Sequence, residues 1–271
     1  MNLLFIADIV GEEILDIILD ILPRIKNLYK IECTIANVEN VDKGKGIRSK
    51  QIEKLKAAGI DCMTSGNHIW DPRKKDVLVQ YAGYILRPLN YPDGNIGVGS
   101  TILKLSNQLK VGIINLQGRS FMYPIDCPFT TIQKEIRKIH SETPVIIVDF
   151  HAEATAEKQA LAWFLDGKVS AILGTHTHVQ TADERILPKS TAFITDVGMC
   201  GPVDSVIGMD TDKAIERFML QTQIYYSIAK HNLRFNGVVV EINPKTGQAK
   251  KILRLNFNKK EFDNYVQNHR W

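Results

Sequence analysis

Short runs of consecutive apolar residues alternate along this chain with longer stretches in which apolar positions recur every three or four residues. The first run, residues 3–7, is continuously apolar, as expected of a strand buried on both faces. Ile14, Ile17, Ile18, Ile21, Leu22 and Ile25 then follow helical spacing. A kink or break is expected at Pro23, which lacks an N–H and crowds the preceding turn. Residues 34–38 form a second apolar run, and residues 52–58 a second helix closed by Gly59. Residues 61–64 lead into Gly66, and a third helix is expected to begin near Pro72.

The pattern changes in the middle. Residues 100–105 and 110–116 are apolar-rich segments separated by a polar turn, which predicts an antiparallel hairpin. Alternation then resumes with a strand at 145–149, a helix at 157–165 and a strand at 169–173. Residues 237–242 and 251–255 flank Asn243-Pro244-Lys245-Thr246-Gly247, a strong turn signal and hence a second hairpin. Two βα-rich halves, each with antiparallel strands, predict an α/β protein of two packed mixed sheets with helices outside. No repeat, low-complexity segment or linker interrupts the chain, so residues 1–271 are expected to form a single domain.

Composition adds bounds. The 271 residues suffice for a substantial core without disulfides. With 44% hydrophobic and 24% charged residues, the chain reads as an ordinary soluble protein. The net charge of +4 is too small to diagnose nucleic-acid binding, though it would not repel a phosphorylated substrate. Cys33, Cys62, Cys127 and Cys200 form no C-x-x-C pair, and Cys33 and Cys62, within or beside apolar runs, are expected as buried free thiols. No signal peptide and no apolar stretch of membrane-spanning length is visible. A cytoplasmic protein without membrane association is expected.

The candidate chemistry lies just beyond the apolar strands. Asp8 follows the first, Glu39-Asn40 the second and Asn67-His68 the third; His151 follows the 145–149 strand, and His176 with His178 the 169–173 strand. Ligands of α/β folds gather at carboxyl ends of strands, where loops converge. Each residue alone has an ordinary explanation. Asp8 is a reasonable helix cap, Asn67 a turn residue, and His151 a hydrogen-bonded structural histidine. His176 and His178 are stronger, because residues two apart in an extended segment project to one side. The ordered set carries the weight. Carboxylate, imidazole and amide oxygen together suit divalent iron, manganese or zinc, and the absence of thiolates argues against a structural zinc cluster. Glu39 is the natural carboxylate to bridge two ions.

These residues sit in motifs of a known family. Gly66-Asn67-His68 resembles the GNH motif of the calcineurin-like metallophosphoesterases, and Gly174-Thr175-His176-Thr177-His178 resembles their terminal GHxH. Asn37-Val38-Glu39-Asn40, residues 149–155, residues 174–181 and Thr195-Asp196-Val197-Gly198-Met199 narrow the resemblance to the YmdB-type branch, over nearly the whole chain. The resemblance implies a four-layer α/β/β/α sandwich with a dinuclear centre between its sheets. It implies one metal held by Asp8, Glu39, Asn40 and His178, and another by Glu39, Asn67, His151 and His176, with His68 as general acid. The implied activity is that of a 2′,3′-cyclic-nucleotide phosphodiesterase, with other phosphodiesters within reach.

Two departures from the wider superfamily matter. Its opening D-x-H is here Asp8-Ile9-Val10, so Asn40 is expected to replace the missing histidine. That favours iron or manganese, with magnesium or zinc as alternatives. Ile69 follows His68 where many members carry a carboxylate, which leaves no named partner to orient His68; Asp71 is as readily a helix cap. The expected mechanism is in-line attack by a metal-bound hydroxide while His68 protonates the leaving alkoxide. A phosphomonoesterase with the same centre, or a metal-dependent nucleotide- or RNA-binding regulator, are the competing readings. The partners expected are a nucleotide or phosphodiester substrate and, further, RNA ends; association of the chain with its own copies stays open. Tyr91, Phe121, Met122 and Tyr123 lie in loop-like segments with no base-stacking role assigned. Arg87 and Arg119 are more readily structural than phosphate-binding, and His140, His231 and His269 read as exposed bystanders.

Overall fold

The computed structural model describes residues 1–225 and 227–268; His269 lies outside them. In chain order the first half holds β1 (Asn2–Ile6), β2 (Asp8–Ile9), α1 (Leu15–Leu28), β3 (Ile31–Asn37), α2 (Ser49–Ala57), β4 (Cys62–Thr64), α3 (Val77–Gln80), β5 (Ser100–Lys104), β6 (Lys110–Gln117) and α4 (Pro128–His140). The second half holds β7 (Ile146–His151), α5 (Thr155–Leu165), β8 (Ala171–Thr175), β9 (Arg185–Ile186), β10 (Ala192–Ile194), β11 (Met199–Pro202), α6 (Thr211–Leu220), β12 (Leu233–Ile242), β13 (Ala249–Asn258) and α7 (Lys259–Asn268).

One sheet runs in the order β2-β11-β12-β1-β3-β4, with β13 beside β12; the other runs β5-β6-β7-β8-β10-β9. Both are mixed. β1, β3 and β4 are parallel to one another, while β12 lies antiparallel to β1 and forms the expected hairpin with β13. In the second sheet β6, β7, β8 and β10 are parallel, and β5 closes the other expected hairpin against β6.

Strand alternation assigns each side chain to a layer. On β7, Ile147 joins the core shared by the two sheets, alongside Leu3, Ile35 and Leu173. Its neighbours Ile146, Val148 and Phe150 face the other way, into a cluster with Ile132 and Ile136 of α4 and Leu161 and Leu165 of α5. Ile18, Ile21, Leu22 and Ile25 of α1 cover the outer face of the first sheet. Each such fully buried aliphatic side chain contributes about 1.5–3 kcal/mol. The result is the expected four-layer α/β/β/α sandwich.

Local expectations fail in two places. α1 runs without interruption through Pro23. Pro23 is exposed, so its missing hydrogen bond falls on the solvent side, while the buried stripe on both sides of it holds the helix to the sheet. No long helix begins at Pro72: residues 72–76 form turns, and α3 is a single turn. The helix α4 escaped the apolar reading, although Ile132, Ile136 and Ile139 are buried at helical spacing and Pro128 occupies the first turn. Cys33, Cys62, Cys127 and Cys200 are free thiols. No helix among the described residues is long and apolar enough to cross a membrane.

Candidate metal centre

The parallel strands deliver their carboxyl ends to one place. Asp8 opens β2, one residue past β1, Glu39 and Asn40 lie just past β3, and Asn67 opens the turn after β4. From the other sheet, His151 is the last residue of β7, while His176 and His178 lie just past β8. Side-chain donor atoms of Glu39, His151 and His176 all come within 4.8 Å of one another. Glu39 Oε1 is 3.0 Å from His151 Nε2, which is 3.0 Å from His176 Nδ1. Asp8 reaches the group through Oδ2, which accepts the backbone N–H of His176 at 3.0 Å, and through Oδ1, 4.0 Å from His151 Nδ1. Asn40 Nδ2 lies 3.3 Å from Glu39 Oε1 and 3.2 Å from His178 Nε2.

Gly66 makes this approach possible. A Cβ at that position would lie 2.2 Å from the His151 ring and 2.5 Å from Glu39 Oε2. Any side chain there would push apart the residues that the two sheets bring together.

The outer nitrogens of the three imidazoles are committed to protein acceptors, and that fixes what faces inward. His178 Nδ1 meets the Ile207 carbonyl at 2.8 Å, so it must carry a proton and leave Nε2 with its lone pair. His176 Nε2 lies 3.1 Å from the Glu153 carboxylate, which leaves Nδ1 with the lone pair. Thr175 donates its hydroxyl proton to Asp149 at 2.7 Å and therefore accepts from His151 Nδ1 at 3.0 Å. The inward lone pairs of His151 and His176 thus confront each other. They repel unless a proton or a cation lies between them.

The electrostatics agree. Burial works against a charged His151, yet the carboxylates of Glu39, Asp8 and Asp149 outweigh it and push its pKa up to about 9. Burial and the neighbouring His151 drive His176 down to about 3. Burial opposes ionisation of Glu39, but His151 and His68 still hold it well below the usual carboxylate range. Burial and nearby Glu39 raise Asp8 well above it. Oδ1 of Asp8 and Oδ1 of Asn67 are buried without a hydrogen-bond partner, a costly condition unless something satisfies them. Orphaned oxygens, inward-facing imidazole nitrogens and two buried carboxylates fit a divalent cation, which would take the place of the proton on His151.

His68 stands at the open edge, its side chain about a third exposed. Its backbone N–H donates to Glu39 Oε2 at 2.9 Å, and its Nδ1 faces Asn40 Oδ1 at 2.7 Å and Glu39 Oε1 at 3.4 Å. Asn40 is therefore the partner that the sequence did not name. Exchanging the oxygen and nitrogen of its amide would make His68 Nδ1 an acceptor and set the oxygen against Glu39 Oε1 and His178 Nε2, two further acceptors, an arrangement that needs a cation among them. Asp71 is occupied elsewhere, by Arg73 at 2.9 Å and Lys74 at 3.6 Å. Arg87 is spent on backbone carbonyls of Pro88, Leu89 and Ile96.

Sequence reasoning also missed the carboxylates behind the cluster. Asp149 accepts from Thr175 and from Asn37 Nδ2 at 3.0 Å, and burial raises it to about 6. Asp196, fully buried, accepts from Thr177 N, Thr177 Oγ1 and Lys158 Nζ, the last at 2.6 Å. It pins Thr177 between His176 and His178, whose φ angles are +98° and +66°. Both carboxylates lay in motif segments; what the sequence lacked was any sign that they point behind the site.

Residues 4–255 match the profile of the family described as YmdB-like protein. The chain is 44% identical over 258 residues to a Bacillus subtilis (strain 168) protein named 2′,3′-cyclic-nucleotide 2′-phosphodiesterase, covering 95% of this chain and 97% of that relative. Among solved structures, a Thermus thermophilus protein superposes with a TM-score of 0.88 at 36% identity, covering 95% of this chain and 99% of the other. A Mycoplasma pneumoniae protein described as a novel phosphatase also gives 0.88, at 35% identity, covering 99% and 98%.

Proposed function

The chain belongs to the YmdB-like family, and from that membership we propose that it is a metal-dependent phosphodiesterase that opens 2′,3′-cyclic nucleotides and accepts other phosphodiesters. The observation that carries the reading is the confrontation of His151 Nε2 and His176 Nδ1 beside Glu39, at the mouth of which stands His68. The relative named for this reaction supplies the substrate class.

Two divalent ions, iron or manganese before magnesium or zinc, would be held by Asp8, Glu39, Asn40 and His178 and by Glu39, Asn67, His151 and His176. When bound, they would supply positive charge to the phosphate and acidify an attacking water. The amides of Asn40 and Asn67 add ligating oxygen without negative charge, so the site stays attractive to an anion. Thr175, Glu153 and the Ile207 carbonyl keep the three imidazoles turned inward.

We assign to His68 the proton that the leaving alkoxide needs: burial pulls its pKa below the ordinary histidine value, and the Glu39 carboxylate works against that. Its Nδ1 is tied to Asn40, and its Nε2 has no protein partner within the described residues. The ring borders a cavity of about 490 Å³ shared with Lys45, Asn67, Trp70 and Arg73. A departing oxygen in that cavity would lie beside His68, and Lys45 adds positive charge to the rim, where Arg73 is paired with Asp71.

Matched assays of the metal-loaded protein on a 2′,3′-cyclic nucleotide, an acyclic diester and a monoester, with metal analysis of the same sample, test the reading. Preferred turnover of the cyclic diester supports it. Preferred monoester turnover would make the protein a phosphomonoesterase, and binding without turnover a regulator.

A further inference from the structure

A second cavity of about 330 Å³ is lined by Asn67, Phe121, Met122, Tyr123, Pro124 and His176. Its volume falls within the range of small-ligand sites. Asn67 borders both this cavity and the one beside His68, and His176 of the cluster lines this one.

The aromatic wall is unusual in its exposure. Phe121 is 93% and Tyr123 75% accessible, although large aromatic side chains gain most from burial. Nor does the loop sag onto the surface. The N–H groups of Arg119 and Ser120 donate to the Glu157 carboxylate at 3.0 and 3.1 Å, and Met122 N–H donates to the Arg119 carbonyl. Further along, Asp126 N–H donates to the Asn90 carbonyl, and Asn90 Nδ2 returns a bond to the Asp126 carbonyl at 2.9 Å. Phe121 itself holds a φ of +61°, a left-handed conformation that non-glycine residues keep when their surroundings impose it. The loop is thus braced at both ends, with its aromatic side chains held out in water beside the metal cluster.

We propose that Phe121 and Tyr123 form a stacking platform for the nucleobase of a cyclic nucleotide whose phosphate occupies the Glu39–His151–His176 cluster. This rests on the phosphodiesterase reading and extends it to the part of the substrate that does not react. The lining offers flat aromatic and apolar surface and, beyond the two cluster residues, one side-chain hydroxyl, that of Tyr123. Stacking of this kind accepts any base, because every base has a π-face. The platform therefore selects nucleosides over simple sugar phosphates and discriminates weakly among adenine, guanine, cytosine and uracil, with purines ahead by ring area.

The test compares the metal-loaded wild type with Phe121→Ala and Tyr123→Ala on 2′,3′-cyclic AMP and on the base-free methyl ribofuranoside 2′,3′-cyclic phosphate. Either substitution should raise KM for the nucleotide about tenfold while KM for the base-free diester moves by less than about twofold. Equal shifts on both substrates, or none on the nucleotide, overturn the platform. Equilibrium binding of adenosine 3′-monophosphate and of ribose 3-phosphate gives a readout that needs no turnover. The wild type should prefer the nucleotide by about tenfold or more, and Phe121→Ala should erase most of that preference. Absence of the preference in the wild type rejects the proposal even in an active enzyme. Its presence in a protein without turnover supports the platform while the phosphodiesterase reading falls.

Discussion

The side-chain amide of Asn37, at the end of β3 in one sheet, donates at 3.0 Å to the carboxylate of Asp149, near the end of β7 in the other. The same amide's oxygen accepts the backbone N–H of Glu39 at 3.2 Å. Asp149 in turn receives Thr175, which sets the proton of His151. One buried side chain therefore joins the two sheets and positions a carboxylate and an imidazole on opposite walls of the cluster.

Asn37→Ala leaves Asp149 and the Glu39 N–H short of a partner in a site without water access. The expected cost is about 1–3 kcal/mol of stability, read from denaturant unfolding of the metal-free protein. Metal affinity should fall by about 10–100-fold, the usual effect of losing a supporting hydrogen bond behind a ligand. Calorimetric titration checks this; unchanged affinity would separate the inter-sheet bond from the metal site.

His68→Ala should lower kcat on a cyclic diester by about 10²–10⁴-fold, the typical contribution of a positioned proton donor. With metal in excess the variant should still load fully, because the His68 side chain touches the proposed ligand Asn40 and its backbone N–H bond to Glu39 survives the substitution; affinity should fall by no more than the loss of one supporting hydrogen bond allows, about 10–100-fold. Loss of metal in this variant even under excess, measured by elemental analysis, would recast His68 as a ligand or a structural support of Asn40.

Metal uptake near pH 7.5 should release a proton from His151. Its pKa in the metal-free cluster is about 9, and a ligand must give up its proton to bind. Titration in buffers of different ionisation heat measures the release, which should fade as pH rises through 9. The sign for folding follows from the same shift. The stabilisation that protonated His151 draws from Glu39 and Asp8 is complete below about 6.5, the ordinary histidine value, and disappears as pH rises through about 9. The metal-free protein should accordingly lose thermal stability over that window more steeply than a His151→Gln variant.

Lys158→Met strands the Asp196 carboxylate, which is fully buried against Lys158. Breaking one side of a buried pair costs about 3–5 kcal/mol. Because Asp196 also holds Thr177, the loss should reach the adjoining histidines and weaken metal binding. The double variant Lys158→Met/Asp196→Leu should recover part of the stability while metal affinity stays low. Recovery of both would assign the pair a purely structural role.

Much of this was legible in the sequence. The alternation of apolar runs with helical spacing gave the two mixed sheets, because strands buried on both faces leave continuous hydrophobic signatures such as residues 3–7. The cluster was legible for a related reason: Asp8, Glu39, Asn67, His151 and His176 each follow such a strand at its carboxyl end. What escaped depends on contacts between distant segments. Asn40 beside His68, Glu153 beside His176 and Asp196 beneath Thr177 are side-chain pairings that local pattern cannot express. The failure at Pro23 has the same origin. Packing of the α1 stripe against the sheet outweighed a local helix-breaking preference, since the proline faces solvent. Phe121 and Tyr123 were visible as loop aromatics, but only the bracing by Glu157 gives their exposure a meaning.

The left-handed backbone at His176 and His178 bears on which substitutions nearby the protein can tolerate. Such conformations cost of order 1–3 kcal/mol each and persist only where the surroundings impose them; the bonds from Thr177 to Asp196, between the two histidines, do so here. Replacing Asp196 would release that tension along the segment, and both imidazoles would swing from their bearings although neither had been touched.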